Sequence, residues 1–373
     1  MAGLYIHIPF CQKACHYCDF HFSTQLHSLT DMVDCLLLEM EYWKSSWNPE
    51  RLDSIYFGGG TPSLLSAEQI ALLINKAVEI WPLVDGAEIT LEANPDDVSE
   101  NKVRGWQEAG INRISLGVQS FFQADLLWMN RSHTSAQAFS ALEILRSCGI
   151  ENITIDLIYG LPNQESLLWK KNLKHFLGLG IPHLSAYSLT IEEKTVFGHQ
   201  LKAGSFLQAE DESVERDYIY LCETLENHGY GHYEISNFSL PGKEAKHNSA
   251  YWGGQSYLGI GPSAHSFYQD RRWWNLSNNI MYISKIRKNE PWWEGEILTS
   301  TQRRNERLIT SLRTSKGIQT ADLFEGVKGD RSFIKKLNSL IEQTKLVENS
   351  GVWRIPEKHW LVSDEIISRL IIG

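Results

Sequence analysis

The stretch LYIHIPFCQKACHYCDF (residues 4–20) carries three of the chain's six cysteines, Cys11, Cys15 and Cys18, directly behind an apolar run of strand character. Their C-x3-C-x2-C spacing lets three thiolates from one short loop face a single point. In a reducing compartment, cysteines this close are metal ligands or redox centres rather than disulfide partners. Two metal chemistries fit the spacing. A structural zinc site takes four ligands, and His7, His16 and His21 stand near enough in sequence to supply the fourth. A [4Fe-4S] cluster on only three cysteines instead leaves one iron open to a small molecule. The other cysteines, Cys35, Cys148 and Cys222, are isolated in apolar patterns and read as small buried hydrophobes.

Outward from this stretch, short β-like runs alternate with amphipathic helical stretches. The strands read as 4–8, 54–62, 88–95, 111–120, 152–162 and 183–191. Between them, Ser66 with Gln69 and Thr134 with Gln137 form capping boxes for two of the helices. Six βα units predict a parallel sheet, either open and doubly wound or curved into a barrel. The unusual chemistry (CQKAC, GGGTP, EANP, GVQS, DLIYG) clusters at the C-terminal ends of the strands, where such barrels place active sites. Beyond residue 191 the pattern changes. EEKTVFGHQLKAG (192–204) reads as polar loop, 208–229 as helix and 230–267 as irregular β structure. Polar 277–293 bridges to a mainly helical, winged-helix-like C-terminal domain with a hairpin at 346–355. The expected divisions are 1–191, 192–295 and 296–373.

The net charge of −10 argues against nucleic-acid binding, which needs a basic face. His7 and Pro9 interrupt the first apolar run, so it does not read as a signal peptide. No run approaches the ~18 apolar residues of a membrane span. The expectation is a cytoplasmic protein.

C-x3-C-x2-C after the first strand resembles the signature of the radical S-adenosylmethionine (SAM) enzymes. In that superfamily the open iron is chelated by the methionine end of SAM, and reduction of the cluster cleaves SAM to a 5′-deoxyadenosyl radical. The resemblance extends to the HemN-like branch, the relatives of oxygen-independent coproporphyrinogen III oxidase, through LYIHIPFC, YFGGGTPSLL, RISLGVQSF, IDLIYGLPNQ and GIGPSAHSF. It implies an incomplete parallel (β/α)6 barrel in which Cys11, Cys15 and Cys18 ligate the [4Fe-4S] cluster, with Tyr5 and Tyr17 beside it. It implies that Gly59, Gly60 and Thr61 hold the methionine end of SAM, and that Glu92, Gln119, Arg131 and Asp156 hold the rest. His265 is expected nearer SAM than haem.

Two departures set the chain apart from the decarboxylases of this branch. Phe20 stands where they carry a further cysteine, and their N-terminal arm is missing before Cys11. Both features resemble the HemW family of haem chaperones, as does HNSAYW (247–252). That resemblance implies haem as a third cofactor, with His247, Asn248, Tyr251 and Trp252 as candidate contacts. It implies as partners a haem-accepting protein, transiently membrane-associated acceptors included, and an electron donor such as a flavodoxin or ferredoxin. The alternative function is oxidative decarboxylation of coproporphyrinogen III, so enzyme status stays open at this stage.

Overall fold

The computed structural model describes residues 2–162 and 166–372. Six parallel strands follow in chain order: β1 (Ala2–Ile8), β2 (Leu52–Gly59), β3 (Leu83–Ala93), β4 (Arg113–Gln119), β5 (Ile153–Tyr159) and β6 (His183–Ser188). Each pairs with the next. Helices α1 (Leu29–Trp43), α2 (Ala67–Ile80), α3 (Glu100–Glu108), α4 (Gln123–Trp128), α5 (Ser135–Ser147) and α6 (Ser166–Leu179) make the crossovers. Both capping boxes form as the sequence predicts. Asn163 and Gln164 of IDLIYGLPNQ lie outside the described residues.

Strand alternation explains the two faces of this sheet. On β1, Leu4, Ile6 and Ile8 are buried under the helices, while Tyr5 and His7 face the barrel interior. On β2, Ile55 and Phe57 are in the core and Tyr56 faces inward. On β3, Ile89 and Leu91 are in the core and Glu92 faces inward. The interior is therefore polar, and the main core lies between sheet and helices.

The sheet does not close on itself. It grows at both edges to twelve strands. Beyond β6, the chain passes through α7 (Val196–Lys202) and α8 (Asp211–Glu226) into β7 (Gly231–Glu234) and β8 (Asn237–Ser239). Strand β8 adds antiparallel to β6. After α9 (Lys246–Trp252), β9 (Ser256–Ile260) pairs in parallel with the other edge of β1. Strands β10 (His265–Tyr268), β11 (Arg271–Asn275) and, after α10 (Asn279–Arg287), β12 (Trp293–Ile297) continue antiparallel from there.

Three readings of the sequence are corrected here. The 192–204 stretch is not loop throughout, because α7 forms within it. Thr195 caps α7 by accepting the Gly198 N–H, and Phe197 is buried against Trp128 at 4.0 Å between ring centres. The polar flanks disguised a helix of seven residues. Within 230–267, HNSAYW is helical, forming most of α9. The 277–293 bridge contains α10, capped by the Asn278 side chain.

The final segment runs α11 (Ser300–Ser311), β13 (Ile318–Gln319), α12 (Thr320–Leu323), α13 (Arg331–Glu342), β14 (Val347–Asn349), β15 (Val352–Arg354) and α14 (Ser363–Leu370). Its three antiparallel strands take the order β13-β15-β14, the arrangement of a winged helix. Its apolar residues, Leu308, Phe333, Leu337 and Trp360 among them, join the same core as the barrel.

A single buried carboxylate ties the β9–β12 half to the barrel. Glu39 on α1 is fully buried. It accepts hydrogen bonds from Trp43 and Trp292 Nε1, Asn275 Nδ2, the Gly261 amide and the Tyr282 hydroxyl. Burial pushes its carboxyl above the usual range, against the pull of those donors. Removing it would leave several buried donors unpaired, each costing ~1–3 kcal/mol. Glu39→Ala is expected to lower stability by about 3–5 kcal/mol, read from the shift in urea midpoint. A loss below 1 kcal/mol would contradict this account of how the two halves are joined.

Candidate functional site

The cysteine loop leaves the C-terminal end of β1 and lies against the glycine loop that leaves β2. The Gly60 amide donates to the Ile8 carbonyl at 2.9 Å, and the Thr61 amide to the Phe10 carbonyl at 2.7 Å. A Cβ on Gly60 would stand 2.5 Å from the Phe10 carbonyl oxygen. Gly59 has φ +111°, and a Cβ there would meet the His7 ring at 2.6 Å. The protein's own packing therefore demands both glycines before any ligand does.

The far side of the loop is strapped to the turn after α4. The His16 amide donates to the Met129 carbonyl, and Asn130 Nδ2 donates to the Ala14 carbonyl at 2.7 Å. Arg131 then reaches back into the site. Its Nη1 lies 3.2 Å from Cys15 Sγ and 3.4 Å from the Tyr17 hydroxyl. Its Nη2 donates to Asn94 Oδ1 at 2.6 Å and to the Gly117 carbonyl at 2.8 Å. Burial opposes this charge, yet Tyr17 and Cys15 hold its pKa above the ordinary arginine value. Arg131 Nε is buried with no hydrogen-bond partner among the described residues.

The three thiols are partly exposed. Burial pushes Cys11 up to about 11 and Cys18 up to about 12. Of the nearby histidines, His7 has both ring nitrogens in hydrogen bonds, while His16 and His21 have one each. His7 contacts the Tyr5 hydroxyl and the His21 carbonyl, His16 the Trp128 carbonyl, and His21 the Asn279 side chain. Three thiols from one loop, with the Arg131 guanidinium beside one of them, form a donor set for a metal centre.

Next along the strand ends, Glu92 accepts from the Tyr56 hydroxyl at 2.8 Å and from the Gly59 amide at 3.2 Å. Burial, aided by nearby Asp156, pushes it up to about 7 against those donors. Burial likewise pushes Asp156 up to about 6, while Ser185 and Ser115 pull it down. The Ser115 hydroxyl stands 3.4 Å from each Asp156 oxygen. Gln119 ends β4 at φ +65°, a left-handed conformation unusual outside glycine. Such strain concentrates at functional positions.

Inside the barrel lies a cavity of about 1220 Å³. Tyr5 and Glu92 line it from the strands, and His247, Asn248, Tyr251 and Trp252 line it from α9. His265 also opens onto it, and Phe20, 69% exposed, stands at its edge. His247 sits toward the N-terminal ends of β1 and β2, opposite the cysteine loop. Its Nδ1 is 2.8 Å from the Ser54 hydroxyl, and its ring stacks on Tyr56 at 5.1 Å. Gly3 makes room for it, since a Cβ there would meet the ring at 3.1 Å. Burial lowers the imidazole to about 4, so it is neutral at pH 7. Its Nε2 has no hydrogen-bond partner among the described residues.

Helix α9 has no capping side chain of its own. The Glu88 carboxylate of β3 takes that role, accepting from the Lys246 and His247 amides at 3.0 Å each. Sequence reasoning missed Glu88, Ser54, Tyr56 and Asn94. The available signal was a set of polar residues at alternate positions in otherwise apolar strands. It also missed Arg303 and Arg307 of α11, which bring the final segment to the cavity wall.

Residues 5–166 match the Radical SAM superfamily model. The chain is 35% identical over 372 residues to the heme chaperone HemW of Lactococcus lactis subsp. lactis, covering 99% of this chain and 97% of that protein. It is 36% identical over 378 residues to the heme chaperone HemW of Bacillus subtilis, covering 100% and 99%. The solved structure of Escherichia coli coproporphyrinogen III oxidase (HemN), described as a radical SAM enzyme, superposes with a TM-score of 0.85. It covers 99% of this chain and 90% of that one at 23% identity, a likeness of fold.

The raised carboxyl of Glu92 gives a pH signature with a definite sign. Its pKa rises from 4.5 unfolded to about 7 folded, so the folded state holds a proton that the unfolded state releases. That contribution is complete below pH 4.5 and is lost as the pH rises toward 7. In the ligand-free chain, Glu92→Gln is expected to raise stability relative to the parent at pH 7.5 by about 1–3 kcal/mol. The gain should vanish near pH 4.5. Equal stability of the two proteins at both pH values, by thermal unfolding, would remove the case for a strained carboxylate.

Proposed function

The chain belongs to the HemW family of the radical SAM superfamily, and from that premise we propose that it is a haem chaperone. It holds a [4Fe-4S] cluster on Cys11, Cys15 and Cys18. It binds SAM along Tyr5, Tyr17, Gly59, Gly60, Thr61, Glu92, Gln119, Arg131 and Asp156. It receives haem in the cavity beside His247, Asn248, Tyr251 and Trp252, and passes it to an acceptor protein. A flavodoxin or ferredoxin serves as electron donor. The working parts are the barrel core (1–191), its extension with α9 (192–295) and the C-terminal domain (296–373).

The observation that carries the haem reading is His247. It is a neutral imidazole with one ring nitrogen committed to Ser54 and the other unpaired, on a cavity above the 300–1,000 Å³ usual for small-molecule sites. An imidazole is a common axial ligand of haem iron, and a hydrogen bond to its second nitrogen is the usual way of orienting such a ligand. Tyr251 and Trp252 add aromatic area against which a porphyrin face can pack.

The cluster reading rests on three thiols carried by one loop and on Arg131, whose Nη1 lies 3.2 Å from Cys15 Sγ. When bound, the cluster supplies one-electron chemistry and an iron open to SAM. Around it, Glu92 and Asp156 offer acceptors for ligand hydroxyl or amino groups. Unpaired Arg131 Nε offers a donor. The pair Tyr56–Glu92 separates this end of the barrel from the His247 end.

Anaerobically purified protein is expected to contain four irons and four sulfides per chain, as a [4Fe-4S] cluster requires. Cys11→Ala, Cys15→Ala or Cys18→Ala should abolish them, and Cys35→Ala should not. Haem should bind at one per chain with a spectrum distinct from free haem, altered in His247→Ala. Coproporphyrinogen III should not be converted with SAM and reductant present. Stoichiometric decarboxylation without specific haem binding would overturn the chaperone reading in favour of an oxidase. Zinc without sulfide would overturn the cluster.

A further inference from the structure

On the far side of β6, three side chains from three separate elements converge. They are Cys222 on α8, His232 on β7 and Glu357 at the start of the short helical turn Glu357–Val362 before α14. Cys222 Sγ lies 3.9 Å from His232 Nδ1, and that nitrogen lies 2.6 Å from Glu357 Oε1. All three donor atoms fall within 4.8 Å of one another. Cys222 is thus no isolated hydrophobe, as its sequence setting suggests.

The imidazole is fixed in place. Phe238 stacks on it at 3.9 Å and 15°, and Trp360 meets it edge-on at 4.3 Å. Its Nε2 is 3.3 Å from the Ile235 carbonyl. A carbonyl only accepts, so an Nε2–H is held there, and Nδ1 faces both the sulfur and the carboxylate. One helical turn before Cys222, Tyr218 is buried and its hydroxyl interacts with the Cys222 thiol.

Thiolate, imidazole and carboxylate together are the donor types of a zinc-class ion. An N–H given to a backbone carbonyl is the usual outer support of a metal-binding histidine. We propose that Cys222, His232 and Glu357 bind one divalent transition ion of the zinc class, and that this ion pins the final segment to the barrel's edge strand. On binding, the Cys222 thiol gives its proton to solvent, as metal binding to a thiol requires. Water takes the fourth position, next to the Tyr218 hydroxyl. Glu357, half exposed, provides the way in. The proposal is independent of the haem reading.

The test first removes the competing thiols. In the chain with Cys11, Cys15 and Cys18 all replaced by Ala, one equivalent of Co²⁺ should produce a sulfur-to-cobalt charge-transfer band with the d–d bands of a four-coordinate ion. Zn²⁺ should displace it. Cys222→Ser in that background should abolish the charge-transfer band, and His232→Gln should weaken Co²⁺ binding by about 100-fold or more. A second measurement uses the unaltered, cluster-loaded chain. After equilibration with Zn²⁺ and gel filtration it should retain one zinc beyond the cluster iron, and Cys222→Ser should lose the zinc while keeping the iron. A band that survives Cys222→Ser, or no retained zinc in the cluster-loaded chain, overturns the proposal and leaves a His232–Glu357 ion pair.

Discussion

The contact between the backbones at Phe10 and Gly60 is the constraint on which the site depends. Two hydrogen bonds, Gly60 N–H to Ile8 and Thr61 N–H to Phe10, seat the first loop on the second. The contact closes only because residue 60 lacks a side chain. Everything that follows takes its position from it. The cysteines project from the seated loop, Gly59 turns its amide to Glu92, and Glu92 in turn fixes Tyr56. A methyl group at residue 60 would thus act on the sulfurs, the carboxylate and the tyrosine together, with no change in any of those residues.

Electrostatics divide the barrel interior into unlike ends. Near the cysteine loop, a buried guanidinium is held charged by a thiol and a phenol. Deeper in, two carboxyls are pushed toward neutrality. At the bottom an imidazole is held neutral. For Glu92, moving from 4.5 to about 7 corresponds to on the order of 3 kcal/mol of unfavourable burial of charge. Hydrogen bonds from a ligand's hydroxyl or amino groups would offset part of that. The interior is arranged for occupation by polar, partly charged molecules rather than for packing.

Much of this was legible in the sequence. The six strands, the two capping boxes and the parallel order follow from apolar runs punctuated by Gly, Pro and Ser/Thr signals. Short elements were harder to read. Helix α7 hides because it is only seven residues long, carries Gly198 in its first turn and lies between polar flanks. Helix α9 hides because its cap, Glu88, is supplied from far away in sequence. The same limit explains why Cys222 looked inert. His232 lies 10 positions along the chain from it and Glu357 a further 125 beyond His232, and only the docking of the final segment on the barrel edge brings them together. Local pattern reports on faces and ends of elements. It does not report which distant side chains those faces meet.

The parallel pairing of β1 with β9 has a consequence for how the molecule is made. One edge of β1 finds its partner within the first sixty residues, whereas the other waits for residues 256–260. At ~5–20 residues per second of synthesis, the intervening ~250 residues take roughly 10–50 s. For that time the nascent barrel presents an unsatisfied, strongly apolar strand edge, the kind of surface that invites mispairing with other chains. The cavity also lacks the wall that α9 and β9 supply. The α9 side of the cavity is therefore complete only once the closing strand has emerged.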